Sequence, residues 1–446
     1  MTTFLTMPSA LSPTRIRLAL LALTLGGFGI GCSEFVAMGL LPNLARDLLP
    51  NVFAVSSEQA NGQAGLLVTA YAAGVVVGAP TVAAAVARWP RKIVLLWLLV
   101  AIILGTVASA LLPSFGLILL ARFISALPHG AYFGIAALVA GSLMGPGKRG
   151  RGVALVLGGL TVANVIGVPF VTFIGQQTSW RVSYLIVAGI FVVALVAVLV
   201  TVPNLPGDRS ATMRKELTAF RRPQVWLTVA IGAIGFGGFF CTYTYVSPIV
   251  TTVTGLTVGF VPWALATVGL GMTFGNLIGG WASDHALKRS MIFFFVLLIA
   301  ALVELLILVS NPVGLFAGLF VLGLASSALS PIIQSRLMDV AGESQSIAAA
   351  LNHSALNFGN ALGPIFGGLA LAAGLGYIAP IWVGIVLSLF GIALAVTAFA
   401  VERRTRRRHA QHGGPSIDPE PVSGVEPGPK GYSAAVAGDS GASLVR

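Results

Sequence analysis

The sequence predicts an all-α membrane protein with twelve transmembrane helices in two pseudo-symmetric six-helix bundles. Three observations predict it. Apolar runs of roughly 20 residues, each sufficient for a ~30 Å hydrocarbon core, recur along a chain of 446 residues that is 56% hydrophobic and 9% charged. Basic residues collect in alternate connections between those runs. Positions in the first half recur in the second at a nearly constant offset. A mean hydropathy of +0.93 lies far outside the range of a soluble domain.

In chain order the spans are expected at 18–41, 62–84, 93–112, 116–141, 153–174, 183–203, 225–248, 259–282, 291–310, 313–336, 346–372 and 378–400. The first continues through Gly31 and Glu34 without an early small-residue cleavage site, so it reads as a retained helix rather than a removable leader. The longest polar connection divides the chain. The organisation is therefore a cytoplasmic N-terminus at 1–17, an N-terminal bundle at 18–203, a cytoplasmic linker at 204–224, a C-terminal bundle at 225–401 and a tail at 402–446. That tail opens with ERRTRRRH and then becomes rich in Gly, Pro and Ser, which predicts disorder beyond about Gln411.

The net charge of +12 does not mark a nucleic-acid binder, because 23 of the 26 Lys and Arg residues lie in connections on one side of the predicted membrane. Arg46 and Arg181 fall on the other side and Arg122 lies within a span. By the positive-inside rule both termini are cytoplasmic. Cys32 and Cys241 lie in apolar spans as small hydrophobes. No CxxC, HExxH, P-loop or nucleophile-elbow motif occurs, and no span clusters a nucleophile, base and metal ligands. The expectation is a non-enzyme with no cofactor and no metal, embedded in lipid, its work driven by an ion gradient or by the gradient of its own small-molecule substrate.

Gly78, Arg91 and Lys92 recur as Gly275, Lys288 and Arg289, each 197 positions later, and Asn164 and Gly167 recur as Asn360 and Gly363 after 196. Two separate matches at nearly one offset argue for duplication of a six-span unit, the plan of transporters whose bundles rock about a central site.

Glu34 is the only charged residue from Leu18 to Leu41. A membrane-embedded carboxylate is costly, so it faces a polar interior with a partner and marks a proton or substrate pathway. Glu34 lies eight residues before Pro42 and Arg122 eight after Ser114, which places each about 12 Å from the outer end of its span at 1.5 Å per residue. A carboxyl in a dry site holds its proton, and one facing water and a guanidinium releases it. A change in the separation of Glu34 and Arg122 would therefore load and release a proton; the plainer alternative is a static buried pair that fixes helix packing.

The segments GCSEFVAMGLLPNLARDL at 31–48 and AGLLVTAYAAGVVVGAP at 64–80, the GWASDHALKR run at 280–289 and the spacing of Arg122 and Gly130 in the fourth span together resemble the major facilitator superfamily over about residues 15–402. Within it they resemble the twelve-span drug:proton antiporter branch, its chloramphenicol exporters and arabinose-efflux-like permeases. The resemblance implies an inner-membrane exporter of a small molecule in exchange for protons by alternating access, and a self-contained two-bundle fold makes a monomer sufficient. An amphipathic antibiotic such as chloramphenicol is the expected substrate, with a sugar or metabolite as the alternative and a non-transporting receptor or scaffold as the alternative of another class.

The resemblance also distributes roles. Gly280, Asp284, Lys288 and Arg289 match the family's gating loop, in which the glycine permits close helix approach and the acid latches a helix terminus or a basic partner. The first-half counterpart keeps Arg88, Arg91 and Lys92 but has Ala83 and Ala87 where the pattern wants glycine and acid, so these three are either gate residues or topological anchors. Gly159, Gly167 and Pro169 in the fifth span, and Gly359, Gly363 and Pro364 in the eleventh, match an antiporter-type glycine motif, with generic packing as the bland reading. Substrate-cavity candidates are His129, Asn164, Phe236, Phe240, Tyr243, Asn357 and Asn360, with Asn276, Tyr71, Phe133, Phe239 and Tyr245 also available. His129, between Pro128 and Gly130, either caps a local distortion or relays protons.

Overall fold

The computed structural model describes residues 12–145, 148–207, 222–341 and 345–411. The chain to Phe399 forms one compact unit, and a second begins at Ala400. Most of the predicted linker and the tail beyond Gln411 lie outside the described residues.

Helix α1 (Pro13–Gly39) starts where Ser12 Oγ accepts from the Arg15 amide at 3.3 Å, with proline at the first helical position. Three short helices follow, α2 (Leu41–Leu48), α3 (Pro50–Val55) and α4 (Ser57–Ala64), where the sequence reading has only an external loop. The signal is visible in retrospect. Leu41, Leu44, Ala45 and Leu48 repeat at helical spacing, and the first three are buried. After α5 (Leu66–Val86), α6 (Arg91–Leu111) and α7 (Phe115–Met144), the fifth span is broken by design into α8 (Arg149–Val162), a π-turn at Ala163–Gly167 and α9 (Val168–Gln177). Pro169 lacks an amide proton, and the wider turn just before it absorbs the missing bond. The first half closes with α10 (Trp180–Thr201).

The second half comprises α11 (Pro223–Thr244), α12 (Val261–Leu308), α13 (Pro312–Ala341), α14 (Gln345–Ala372) and α15 (Ala379–Gln411). Among the described residues, eleven segments are long and apolar enough to cross a membrane. The twelfth crossing is inside α12, whose 48 residues would reach about 72 Å if straight, more than twice the core thickness. Its backbone leaves helical geometry at Ala286. The neighbours prove the reversal: α13 runs parallel to the first part, with Gly271, Gly275 and Gly279 against Phe320, Leu324 and Ala328, and antiparallel to the second, with Gly314 against Leu308 and Gly318 against Glu304 and Leu305. From sequence, 283–290 reads as a loop. With neither glycine nor proline there, helical bonding persists on both sides of a single bend, which Ser290 Oγ closes onto Ala282 O at 3.1 Å.

Gly74 and Gly78 meet the backbones of Phe123 and Leu127 on α7, a separation of 49 residues in sequence. Gly271 and Gly275, each 197 residues later, meet Phe320 and Leu324, again 49 apart. The two halves thus repeat not only residues but a packing contact.

Candidate functional site

Glu34 projects from α1 and is 6% exposed, and its Oε1 accepts a 2.9 Å hydrogen bond from Asn360 Nδ2 on α14. The acid of the first half is therefore held by an amide of the second. Arg122 on α7, 1% exposed, reaches the same level: its Nη1 donates to Ser33 O at 2.8 Å, one residue before the acid. The guanidinium carbon lies 4.2 Å from the Tyr71 ring centroid and 5.5 Å from that of Tyr184. Desolvated cation–π contacts of this kind contribute about 2 kcal/mol. Arg122 Nε and Nη2 are buried and make no hydrogen bond. Glu34 and Arg122 are thus adjacent without a salt bridge between them; an ion pair, Arg181–Asp47 at 3.2 Å, lies towards the outer end of the first half.

From Arg122 a column of rings descends α7 towards the end that carries Arg91 and Lys92. Tyr71 hydroxyl and His129 Nδ1 are 3.3 Å apart, the His129 and Phe133 centroids 5.4 Å, and Phe133 stacks on His353 of α14 at 6.2 Å with the rings within 6° of parallel. On α14, Asn357 Nδ2 donates to His353 O at 3.0 Å, so His353, Asn357 and Asn360 form one stripe facing the first half.

Beside the acid stands an aromatic wall. Phe35 lies 6.5 Å from Phe240 with the rings 5° from parallel and 6.0 Å from Tyr243, and Phe239 packs on both at 4.9 and 5.0 Å. Phe236 backs the wall against Gly359. Asn164 Oδ1, Asn357 Oδ1, Asn360 Oδ1 and the Tyr243 hydroxyl are buried without a hydrogen-bond partner. Each such atom costs about 1–3 kcal/mol, a cost that a ligand offering hydroxyl or amide protons would offset.

The remaining predicted residues lie elsewhere. Asn164 sits in the π-turn and its backbone packs on Gly269 of α12. Gly159 and Gly167 let α1 approach through Thr24 and Phe28, while Gly359 and Gly363 do the same for Phe236 and Phe240 on α11. Pro364 O accepts from the Tyr245 hydroxyl at 2.7 Å, which makes Tyr245 a packing clamp rather than a wall. At the basic end Arg88 and Asp284 are exposed, the Arg91 amide donates to Leu205 O at 3.0 Å, Lys92 is half-buried, Lys288 Nζ lies 5.6 Å from the Phe399 centroid and Arg289 is exposed. One expectation needs correction. Gly280 faces open space, one residue and about 100° round the helix from Gly279, which makes the close approach instead. Asn276 is exposed on α12 beside Phe274 and Leu277. Conversely, Phe35, Tyr184 and His353 were not singled out from sequence; Phe35 follows the key acid directly, whereas nothing local flags Tyr184.

Two bundles of six spanning helices with a buried acid at their junction define a secondary membrane transporter. The chain belongs to the major facilitator superfamily, whose family model matches residues 23–262 and 240–435; these are transporters, not enzymes. It is 37% identical over 363 residues to the inner membrane transport protein YdhP of Escherichia coli K12, covering 81% of this chain and 91% of that one. A chloramphenicol resistance protein of Streptomyces lividans is 32% identical over 357 residues, 79% and 89% of the two chains. Among solved structures, a bacterial homologue of the human lysosomal transporter Spinster, inward-facing and unoccupied, aligns with a TM-score of 0.67 at 17% identity, over 87% of this chain and 97% of that one.

Proposed function

We propose that the protein is a proton-coupled efflux transporter of the inner membrane that exports a small, neutral, amphipathic drug of the chloramphenicol type by alternating access. The observation that carries the reading is the bond between Glu34 and Asn360, which ties a buried carboxyl of one half to the other half. Burying an ionised carboxylate between the halves is costly, so closure around Glu34 favours its protonated form, and separation of the halves wets it and frees the proton. Arg122, one residue away through Ser33 O, biases the wet state towards the carboxylate. The substrate competes for the same place: the Phe35, Phe240 and Tyr243 rings offer an apolar face, and the unpartnered Asn357, Asn360 and Tyr243 atoms offer polar contacts suited to hydroxyl and amide groups. With the basic residues on the cytoplasmic side, both termini are cytoplasmic, and one chain supplies the whole pathway.

The S. lividans relative supports the choice of drug. Everted membrane vesicles test it. Imposing an inward-acid gradient is expected to drive chloramphenicol uptake that an uncoupler collapses; uptake of arabinose with none of chloramphenicol would transfer the reading to a sugar exporter.

A further inference from the structure

We propose that His129 and His353 together form a second proton site, shared between the two halves, through which Glu34 exchanges protons with the basic end of the molecule. This rests on the coupling role of Glu34 given above. Glu34 is enclosed at its own level by Asn360, Arg122 and the aromatic wall, so its proton needs a route. The column along α7 supplies titratable groups in that direction: the Tyr71 hydroxyl 3.3 Å from His129 Nδ1, then Phe133, then His353 on the opposite half. Histidine is the side chain suited to carry a proton near neutral pH. Placing one from each half on either side of a single phenyl ring makes the site depend on how the halves sit.

The ring decides when the route conducts. Phe133 separates the two imidazoles, with centroids 5.4 Å from His129 and 6.2 Å from His353, and a phenyl carries no proton. When the halves part at this end, the stack on Phe133 opens and water joins the imidazoles. The proton balance is simple: Tyr71 hydroxyl gives its proton to His129 Nδ1 and takes one from the Glu34 side, and His129 releases one from its other ring nitrogen towards His353. No bond other than O–H and N–H changes. Among the described residues, the groups facing His129 are few. α5 brings Tyr71, α14 brings His353, α7 itself carries Arg122 and Tyr132, α1 brings Glu34 at the level of Arg122, and α8 brings Arg149 only as far as Gly141.

The test is the charge movement that follows a pH jump on the basic side of substrate-free proteoliposomes adsorbed on a solid-supported membrane, with the proton as the probe. Glu34→Gln is expected to lose the larger part of the charge and keep only the small part that loads the histidines. His129→Phe and the milder His353→Gln, at a half-buried position, should move the wild-type charge at least tenfold more slowly, and added imidazole should restore the rate of His129→Gly. An unchanged rate in His353→Gln, or no imidazole rescue, with the charge reduced in Glu34→Gln, overturns the histidine site and leaves Glu34 in place. A transient of wild-type size in Glu34→Gln overturns the coupling reading itself.

Discussion

At the scale of single residues, Arg122 illustrates how a permanent charge is kept inside a membrane without a salt bridge. One nitrogen is satisfied by Ser33 O, and the flat face of the guanidinium lies over Tyr71 and Tyr184. A lysine has neither the plane nor the fork. Arg122→Lys should therefore lower stability by about 2 kcal/mol, the order of a desolvated cation–π contact, read as a lower melting temperature in detergent; an unchanged melting curve would remove the rings from the account. Sequence alone brought Glu34 and Arg122 to one depth, because helical rise converts counting into distance. It did not reveal Asn360 as the partner of Glu34, since 326 residues separate them and no local pattern encodes a contact across the halves. Nor did it separate Gly279 from Gly280, where a single helical step decides which residue faces α13 and which faces open space.

That step is testable at the scale of elements. A side chain at Gly279 would collide with the backbone of Ala328, whereas one at Gly280 meets nothing. Gly279→Val should cost several kcal/mol through overpacking against rigid backbone and reduce the yield of folded protein, while Gly280→Val should be tolerated to within about 0.5 kcal/mol, as surface changes usually are. Size-exclusion profiles and thermal melts of the two variants make the comparison. The spans themselves were legible because a bilayer demands long apolar helices, and element ends moved by only a few residues: 18–41 became Pro13–Gly39, and 116–141 became Phe115–Met144. The short helices between Leu41 and Ala64 escaped because they lack the length that marks a span, and the reversal in α12 looked like a loop because charged residues cluster at it.

At the scale of the whole molecule, the hydrogen bonds that join the halves among the described residues lie at the level of Glu34 or towards the end away from Arg91 and Lys92: Asn360 to Glu34, Thr69 Oγ1 to Ala361 O at 3.2 Å, Gln59 Nε2 to Ala372 O at 3.5 Å and Asn61 Nδ2 to Tyr377 hydroxyl at 2.7 Å. The proposed alternating access requires that seal to open. Because both native cysteines, Cys32 and Cys241, are buried, Asn61→Cys with Tyr377→Cys can be bridged by a short thiol crosslinker in an otherwise unaltered chain. Crosslinking should abolish transport and cleavage of the crosslink should restore it; full activity while crosslinked would mean that this end never opens. The duplication and the basic asymmetry were readable from sequence because they are written in composition and spacing, and the family through the resemblance of its motifs, whereas the seal depends on which faces meet. The central claim, exchange of a proton at Glu34 for a drug, is tested most directly by measuring proton release from the detergent-purified protein on adding chloramphenicol, in wild type and in Glu34→Gln. Release in the wild type that disappears in the mutant is the predicted result. Chloramphenicol binding with equal proton release, or none, in both forms would contradict it.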